Sequence, residues 1–147
     1  MTDDHGARGM SDTPLPPIPT PSAETQPYWD GLAAHRLTIQ ACADCGRLRH
    51  YPRPVCDACL SMAVRWQTVS GAGTVHSWTV THHAFHPGFR DALPYTLVTV
   101  GLAEGVRLNA QWRGPEGTIR LGLPVRIGFE AGAGGFTLPM VLPAMAD

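Results

Sequence analysis

All four cysteines of the chain fall in one short stretch, and their spacing constrains the fold more than any other feature. Cys42 and Cys45 form one C-x2-C pair, and Cys56 and Cys59 form a second pair after ten intervening residues. Two residues between paired cysteines let a tight turn direct both sulfurs at one point. Two such turns facing each other supply four thiolates in a tetrahedron, the geometry that Zn²⁺ prefers. The spacing therefore predicts a structural zinc ribbon with these four ligands and no open position for water.

The cysteines could also form disulfides or bind iron. Two disulfides would require an oxidising compartment, but the N-terminal residues 1–6 carry acid and no apolar run, which does not fit a signal peptide. We therefore expect a cytoplasmic protein with reduced thiols. Iron in a rubredoxin-like site is the second alternative, but the second knuckle lacks the glycine that follows Cys45 in the first. Zinc is the favoured ion.

Composition excludes several classes of protein. The chain has 147 residues, 44% of them hydrophobic, and a formal net charge of -1, so nothing draws it toward nucleic acid or a membrane surface. All eleven basic residues are arginine, and no apolar run approaches membrane-spanning length. Sixteen glycines and fourteen prolines favour a turn-rich, mainly β protein.

The chain divides into four expected segments. Residues 1–21 hold five prolines and little apolar material, which predicts an extended, mobile arm that could lie along a partner. Residues 22–63 should form a helix and the zinc ribbon, residues 64–143 a small barrel, and residues 144–147 a tail.

The helix is expected near residues 23–35, with Ser22 as its N-cap. Apolar residues recur there at helical spacing: Tyr28, Trp29, Leu32 and Ala33. Short strands at 37–41 and 47–51 should flank the first knuckle. A ribbon of this size cannot build a sufficient core, so metal binding should be coupled to its folding.

Alternation of apolar and polar residues persists from Val64 onward. The predicted strands are 64–69, 74–81, 95–102, 106–113, 125–130 and 136–141. The pattern is clearest at 106–113, where Val106, Leu108, Ala110 and Trp112 should face inward. Five or six strands of this size, with little helix between them, close most economically into a small barrel.

The order of motifs resembles a known family, over about residues 22–143. The matching motifs are Tyr28-Trp29-x-Gly31-Leu32, Cys42-x-x-Cys45-Gly46, Pro52-Arg53-x-x-Cys56-x-x-Cys59 and Ser70-Gly71-x-Gly73-x-Val75-x-Ser77. The family joins a rubredoxin-like zinc ribbon to an OB-fold and associates with acyl-CoA enzymes. The resemblance implies a non-catalytic accessory subunit that stabilises a thiolase-fold thiolase, acyltransferase or aldolase and helps form its acyl-CoA channel.

Nucleic-acid binding and independent catalysis are the alternative functions. Zinc ribbons and OB-folds both often hold single-stranded nucleic acid, but such binding needs a positive groove with aromatic platforms. The balanced charge and the low aromatic content of 7% argue against it. An independent enzyme would have its best candidate groups at His82, His83 and His86, yet no acidic residue lies near them in sequence before Asp91. We interpret these histidines as part of an exposed loop.

Two further groups of residues have open interpretations. Phe85, Pro87 and Phe89, in the same loop, either contact a partner or ligand or fold back over the barrel mouth. Ribbon arginines could grip CoA phosphates or partner carboxylates, although a solvated basic face is the simpler interpretation. They are Arg47, Arg49 and Arg53.

Overall fold

The structure is a computed structural model, and it describes residues 14–144. One helix, α1 (Gln26–Ala33), precedes eight strands. The strands are β1 (Leu37–Cys42), β2 (Leu48–Arg49), β3 (Val64–Val69), β4 (Ala72–Thr81), β5 (Tyr95–Leu102), β6 (Arg107–Trp112), β7 (Pro124–Ala131) and β8 (Thr137–Pro143). Short 3-10 turns, Pro87–Ala92 and Ala133–Gly135, interrupt the β4–β5 and β7–β8 connections.

Helix α1 is shorter than its apolar spacing predicts and begins later. Thr25 is the N-cap residue, not Ser22. Ser22 closes a turn before the helix, where its carbonyl accepts the Gln26 N–H at 2.8 Å. The helix can begin after that turn because a proline lies in its first turn, where no backbone N–H donor is needed. Tyr28 and Leu32 are buried beneath it.

The ribbon is a three-stranded sheet in the order β2-β1-β3. Strand β3 was expected to open the barrel, but it pairs antiparallel with β1 along its full length, from Leu37 opposite Val69 to Cys42 opposite Val64. Its alternation identifies a strand without identifying its neighbour. The pairing brings Leu37, Ile39 and Val69 into a shared core with the helix and the barrel.

The remaining five strands form a closed barrel in the order β4-β5-β6-β8-β7. Counted within the barrel, this order is first, second, third, fifth and fourth, and the third and fifth strands pair in parallel. It is the OB-like architecture expected from the sequence. The four predicted inward residues are all buried: Val106, Leu108, Ala110 and Trp112.

The barrel packs directly against the helix and ribbon. The indole of Trp29 meets Phe136 edge to face at 5.5 Å, and His35 stacks on Phe129 at 5.3 Å, both between ring centroids. The helix and barrel therefore share one hydrophobic core.

The arm and tail predictions are covered only in part. Residues 1–13 of the arm, with the signal-peptide question, and 145–147 of the tail lie outside the described residues. Residues 14–21 have no regular secondary structure. Within 14–144, no helix is long and apolar enough to cross a membrane.

Candidate metal centre and adjoining surfaces

The four cysteine sulfurs converge at the tip of the ribbon. Each Sγ lies within 4.8 Å of the other three. The Sγ atoms of Cys42 and Cys59 are 3.6 Å apart, and so are those of Cys45 and Cys56. Four sulfurs placed about 2.3 Å from a central zinc would be about 3.8 Å from one another. The donor set and its geometry therefore fit Zn²⁺.

The same sulfur–sulfur distances show that the four cysteines do not form two disulfide bonds. A disulfide bond joins its sulfurs at about 2.05 Å, and the four thiols are free. The nearest sulfurs also belong to different knuckles. The cluster is therefore arranged around one central point.

Each knuckle is closed by hydrogen bonds from its own backbone. Gly46 N–H donates to the Cys42 carbonyl at 2.9 Å, and Leu60 N–H donates to the Cys56 carbonyl at 3.0 Å. Cys45 N–H points at Cys42 Sγ, 3.4 Å away, and in the second knuckle Ala58 N–H lies 3.4 Å from Cys56 Sγ. Such N–H groups stabilise thiolate over thiol.

These contacts shift the pKa values of the thiols in opposite directions. The backbone hydrogen bond from Cys45 lowers the pKa of Cys42 to about 6. At Cys59 a backbone hydrogen bond at Ser61 acts to lower the pKa, but the neighbouring Cys42 sulfur acts against it, and the pKa rises to about 12. Four thiols this close cannot all ionise without a cation among them. A bound metal would remove that conflict.

A buried polar network supports the segment that leads from β2 into the second knuckle. Gln40, 2% exposed, lies opposite Arg49, 5% exposed. Gln40 Oε1 accepts hydrogen bonds from Arg49 Nε and from Arg53 N–H, and Arg49 Nη2 donates to the Arg53 carbonyl at 2.9 Å. Arg49 Nη1 is buried and has no hydrogen-bond partner among residues 14–144. The network fastens the segment before Cys56 to the ribbon sheet.

The three ribbon arginines therefore do not form one basic face. Arg49 is a buried structural residue, which its sequence context does not reveal. Arg47 pairs with Asp57 at 3.0 Å and links the two knuckles across the exposed surface. Arg53 is exposed and contributes its backbone to the network.

The three loop histidines do not converge on a common site. His82 and His83 are exposed, and His83 packs edge to face on Phe85 with centroids 4.7 Å apart. His86 Nδ1 accepts a hydrogen bond from Gly88 N–H at 3.0 Å and so caps the 3-10 turn.

The two loop phenylalanines have different environments. Phe85 is 93% exposed. Phe89 is partly buried, with its ring 5.9 Å from that of Tyr95 and 6.2 Å from that of His86. Phe89 thus folds back on the barrel, while Phe85 projects from it, so contact of Phe85 with a partner or ligand stays a prediction.

Comparison with known proteins identifies both parts of the chain. Residues 29–65 match the family profile described as the ChsH2 rubredoxin-like zinc ribbon domain. Residues 66–130 match the profile of the ChsH2 C-terminal OB-fold domain. The boundary between the two profiles falls inside β3.

Two solved structures resemble this one over most of its length. A chain of the structure titled "Ltp2-ChsH2(DUF35) aldolase" is 34% identical, with a TM-score of 0.78, over 87% of this chain and all of that one. A Sulfolobus solfataricus protein of unknown function from the DUF35 family, 16% identical with a TM-score of 0.57, covers 84% of this chain and 87% of its own and shares the fold.

Two curated relatives are longer than this chain. The probable enoyl-CoA hydratase alpha subunit of Thermomonospora curvata is 38% identical over 89% of this chain. The 3-oxo-4,17-pregnadiene-20-carboxyl-CoA hydratase alpha subunit of Mycobacterium tuberculosis is 39% identical over 74% of this chain. The alignments span only 41% and 34% of those proteins, respectively. With both family domains present in order, this chain belongs to the ChsH2 family of zinc-ribbon and OB-fold proteins.

Proposed function

We propose that the protein is a non-catalytic accessory subunit of a complex that processes an acyl-CoA, and that its partner is a thiolase-fold enzyme. The observation that carries this proposal is the 34% identity to a ChsH2 chain over the whole of that chain, in a structure whose title joins it to Ltp2 in one aldolase. The curated relatives add that related sequences occur within subunits named for CoA thioesters. The chemistry belongs to the partner, and this chain stabilises it and helps form the acyl-CoA channel.

The arrangement of side chains supports a non-catalytic role. Catalysis on an acyl-CoA needs a positioned general acid or base, or a nucleophile activated by one. Within residues 14–144, the four thiols are gathered in the metal centre, and the clustered histidines cap a turn, pack on Phe85 or face solvent. The exposed ring of Phe85 is suited instead to burial against another protein.

In this proposal a structural Zn²⁺ holds the ribbon, with Cys42, Cys45, Cys56 and Cys59 as its ligands. The ion would neutralise thiolates that otherwise repel one another and would join the two knuckles. The ribbon would then be a rigid platform, since β1 connects the metal centre directly to the helix and the core.

Co-expression tests the proposal directly. The chain and a thiolase-fold protein encoded beside it in the same genome should co-purify as a stable complex in fixed ratio. The isolated chain should release no CoA and cleave no acyl-CoA, and the partner should be poorly soluble or poorly active alone. An unrelated thiolase-fold protein from the same host is the control. Turnover by the isolated chain, or a partner that is fully active and unassociated, would refute the proposal.

The acyl-CoA channel can be tested in the same preparation. Binding of a non-hydrolysable acyl-CoA analogue is measured by calorimetry for the complex, the partner alone and this chain alone. We expect the complex to bind at least about tenfold more tightly than the partner alone. Equal affinities for complex and partner would leave this chain a stabilising role without a part in the channel.

A further inference from the structure

The proline-rich arm lies on the barrel at two points. The Leu15 carbonyl lies so close to Gly88 that a Cβ added at this glycine would be 2.3 Å from its oxygen. At the other end, the Ile18 side chain lies against Gly134, where an added Cβ would be 2.7 Å from Cγ2. Any larger residue at either position would displace the arm. The glycines therefore define two contact points on the barrel surface.

These contact points lie in loops with a special place in an OB-like barrel. Gly88 is in the connection between the first and second barrel strands, and Gly134 is in the connection between the fourth and fifth. In OB-folds these two loops border the face that takes up extended oligomeric ligands. The arm spans from one loop to the other and so lies between the two loops that border this face.

Over residues 14–20 the exposure of the arm has the period of a polyproline II helix, which has three residues per turn. Pro16 and Pro19 are partly buried, whereas Pro14 and Pro17 are exposed. Among residues 14–144, none of residues 14–21 makes a backbone hydrogen bond, as expected for this conformation. The edge with Pro16 and Pro19 therefore faces the barrel, and Ile18, 52% exposed, touches it only with the part of its side chain that meets Gly134.

Aromatic residues adjoin both contact points. Phe89 directly follows Gly88, and Phe136 follows Gly134 after one intervening residue. Both rings are partly buried and held by other aromatic rings, Phe89 by Tyr95 and Phe136 by Trp29. Grooves bordered by aromatic rings are the usual receptors of polyproline II peptides, whose low conformational entropy makes binding favourable.

We propose that the face between the β4–β5 and β7–β8 loops is a binding site for an extended proline-rich peptide, and that residues 14–21 are its occupant within the same chain. The site selects an extended backbone because Gly88 and Gly134 leave room for a chain to approach closely. It does so without main-chain hydrogen bonds, so proline is tolerated at every position. This assignment is separate from the accessory role proposed above and does not depend on it.

The experiment uses the full chain with the arm released. Pro16→Asp/Pro19→Asp places charge on the edge that faces the barrel, and Pro14→Asp/Pro17→Asp makes the same chemical change on the exposed edge. The probe is a fluorescein-labelled peptide with the sequence of residues 14–21, followed by fluorescence anisotropy. A tethered arm competes at an effective concentration of about 1 mM. A peptide with a dissociation constant of about 0.1 mM should thus bind the released variant about tenfold more tightly than the native chain or the control.

Two further substitutions, each made in the released variant, identify the binding site. Gly88→Ala should abolish peptide binding, because its Cβ would enter the space of the Leu15 carbonyl. Gly101→Ala should leave binding unchanged, since its Cβ would have no neighbour nearer than 4.0 Å. Zinc content and circular dichroism verify that each variant is folded.

Three results would overturn the proposal. The released variant could bind the peptide no better than the control, or Gly88→Ala could leave its affinity unchanged. In the third, a single-stranded oligonucleotide would displace the peptide and bind more tightly, which would make the face a nucleic-acid site.

Discussion

Leu60 occupies in the second knuckle the left-handed backbone position that Gly46 occupies in the first. Their φ angles are +63° and +79°, and each residue directly follows the second cysteine of its pair. The two knuckles thus have equivalent backbones although only one has the glycine. A residue with a Cβ in this conformation is strained by roughly 1–2 kcal/mol. The leucine gains little from burial in return, since it is 76% exposed.

Leu60→Gly should therefore stabilise the ribbon. Relief of about 1–2 kcal/mol of strain exceeds the roughly 0.5–1 kcal/mol of extra chain entropy that glycine loses on folding. We expect a net gain of up to about 1.5 kcal/mol and slower zinc release to a chelator. Met62→Gly is the control, because Met62 is similarly exposed at 72% but is not among the residues with positive φ. It should be neutral or destabilising, and a similar gain in both variants would contradict the strain argument.

The metal centre predicts a defined zinc content. The purified protein should contain about one Zn²⁺ per chain, and either Cys42→Ser or Cys59→Ser should lose the ion together with the order of the ribbon. Elemental analysis and circular dichroism measure the two effects. Ser61→Ala is a control, since Ser61 lies beside the centre but contributes no ligand. A metal-free protein with paired disulfides, or iron in place of zinc, would show this assignment to be wrong.

In the ribbon, the strands were predictable from the sequence but their pairing was not. The alternation at 64–69 identified β3 correctly but not its partner, because strand pairing depends on contacts distant in sequence. The β6 strand was predicted with its inward face because one face of a closed barrel is always buried. Ser22 was a plausible N-cap, yet the N-cap is Thr25. Both residue types can cap a helix, and sequence alone does not fix a helix end to within one turn.

Arg49 and the arm were not predictable for a different reason. Arginine is rarely buried, so the sequence suggested a solvated face. Its burial depends on Gln40 and on the Arg53 backbone, which only the folded sheet brings together. Similarly, proline content predicts an extended arm. Its contacts with Gly88 and Gly134 are not predictable, because only the closed barrel brings these two loops together.

The Gln40–Arg49 pair predicts strong energetic coupling. Gln40→Met should destabilise the protein by about 3 kcal/mol, because it leaves the buried Arg49 Nε and the Arg53 N–H without their acceptor. Arg49→Met removes the guanidinium charge and should cost less. The double variant should recover at least about 1 kcal/mol relative to the sum of the single changes. Urea unfolding of all four proteins gives the coupling, and additive effects would mean that the two side chains act independently.

Burial of His50 predicts a loss of stability in mild acid. Both ring nitrogens are buried and have no hydrogen-bond partner within the part of the chain that the structure describes, and burial lowers the pKa of His50 to about 4. The unfolded chain binds this proton near pH 6.5, so the stabilisation is complete above that pH and is lost as the pH falls toward 4. The loss is at most about 3 kcal/mol.

His50→Phe should make unfolding free energy depend less on pH between 6.5 and 4. His76→Phe is the matched control, because His76 is exposed on β4. All variants keep the four cysteines, so zinc release at low pH affects them equally. Urea unfolding across this range measures the difference. The same pH dependence in the His50 variant and the native protein would exclude His50 as its source.

In the β4–β5 loop, we expect Phe85 to affect binding of the partner and Phe89 to affect stability of the fold. Phe85→Ser should change the unfolding free energy by less than about 0.5 kcal/mol, because its ring is 93% exposed. If this ring is buried at the centre of the partner interface, the same change should cost at least about 2 kcal/mol of binding, or roughly 30-fold in affinity. Phe89→Ser should instead destabilise the chain by about 2 kcal/mol, since its ring packs on Tyr95.

Leu121→Ser provides the control for general loss of apolar surface, because Leu121 is 69% exposed in another loop. Assembly is measured by calorimetry with the co-purified partner, and stability by urea unfolding. We expect only Phe85→Ser to lower affinity while stability and zinc content stay unchanged. Equal losses with Leu121→Ser would indicate a broad, unspecific contact, and an unchanged affinity with Phe85→Ser would place the interface on another face of the molecule.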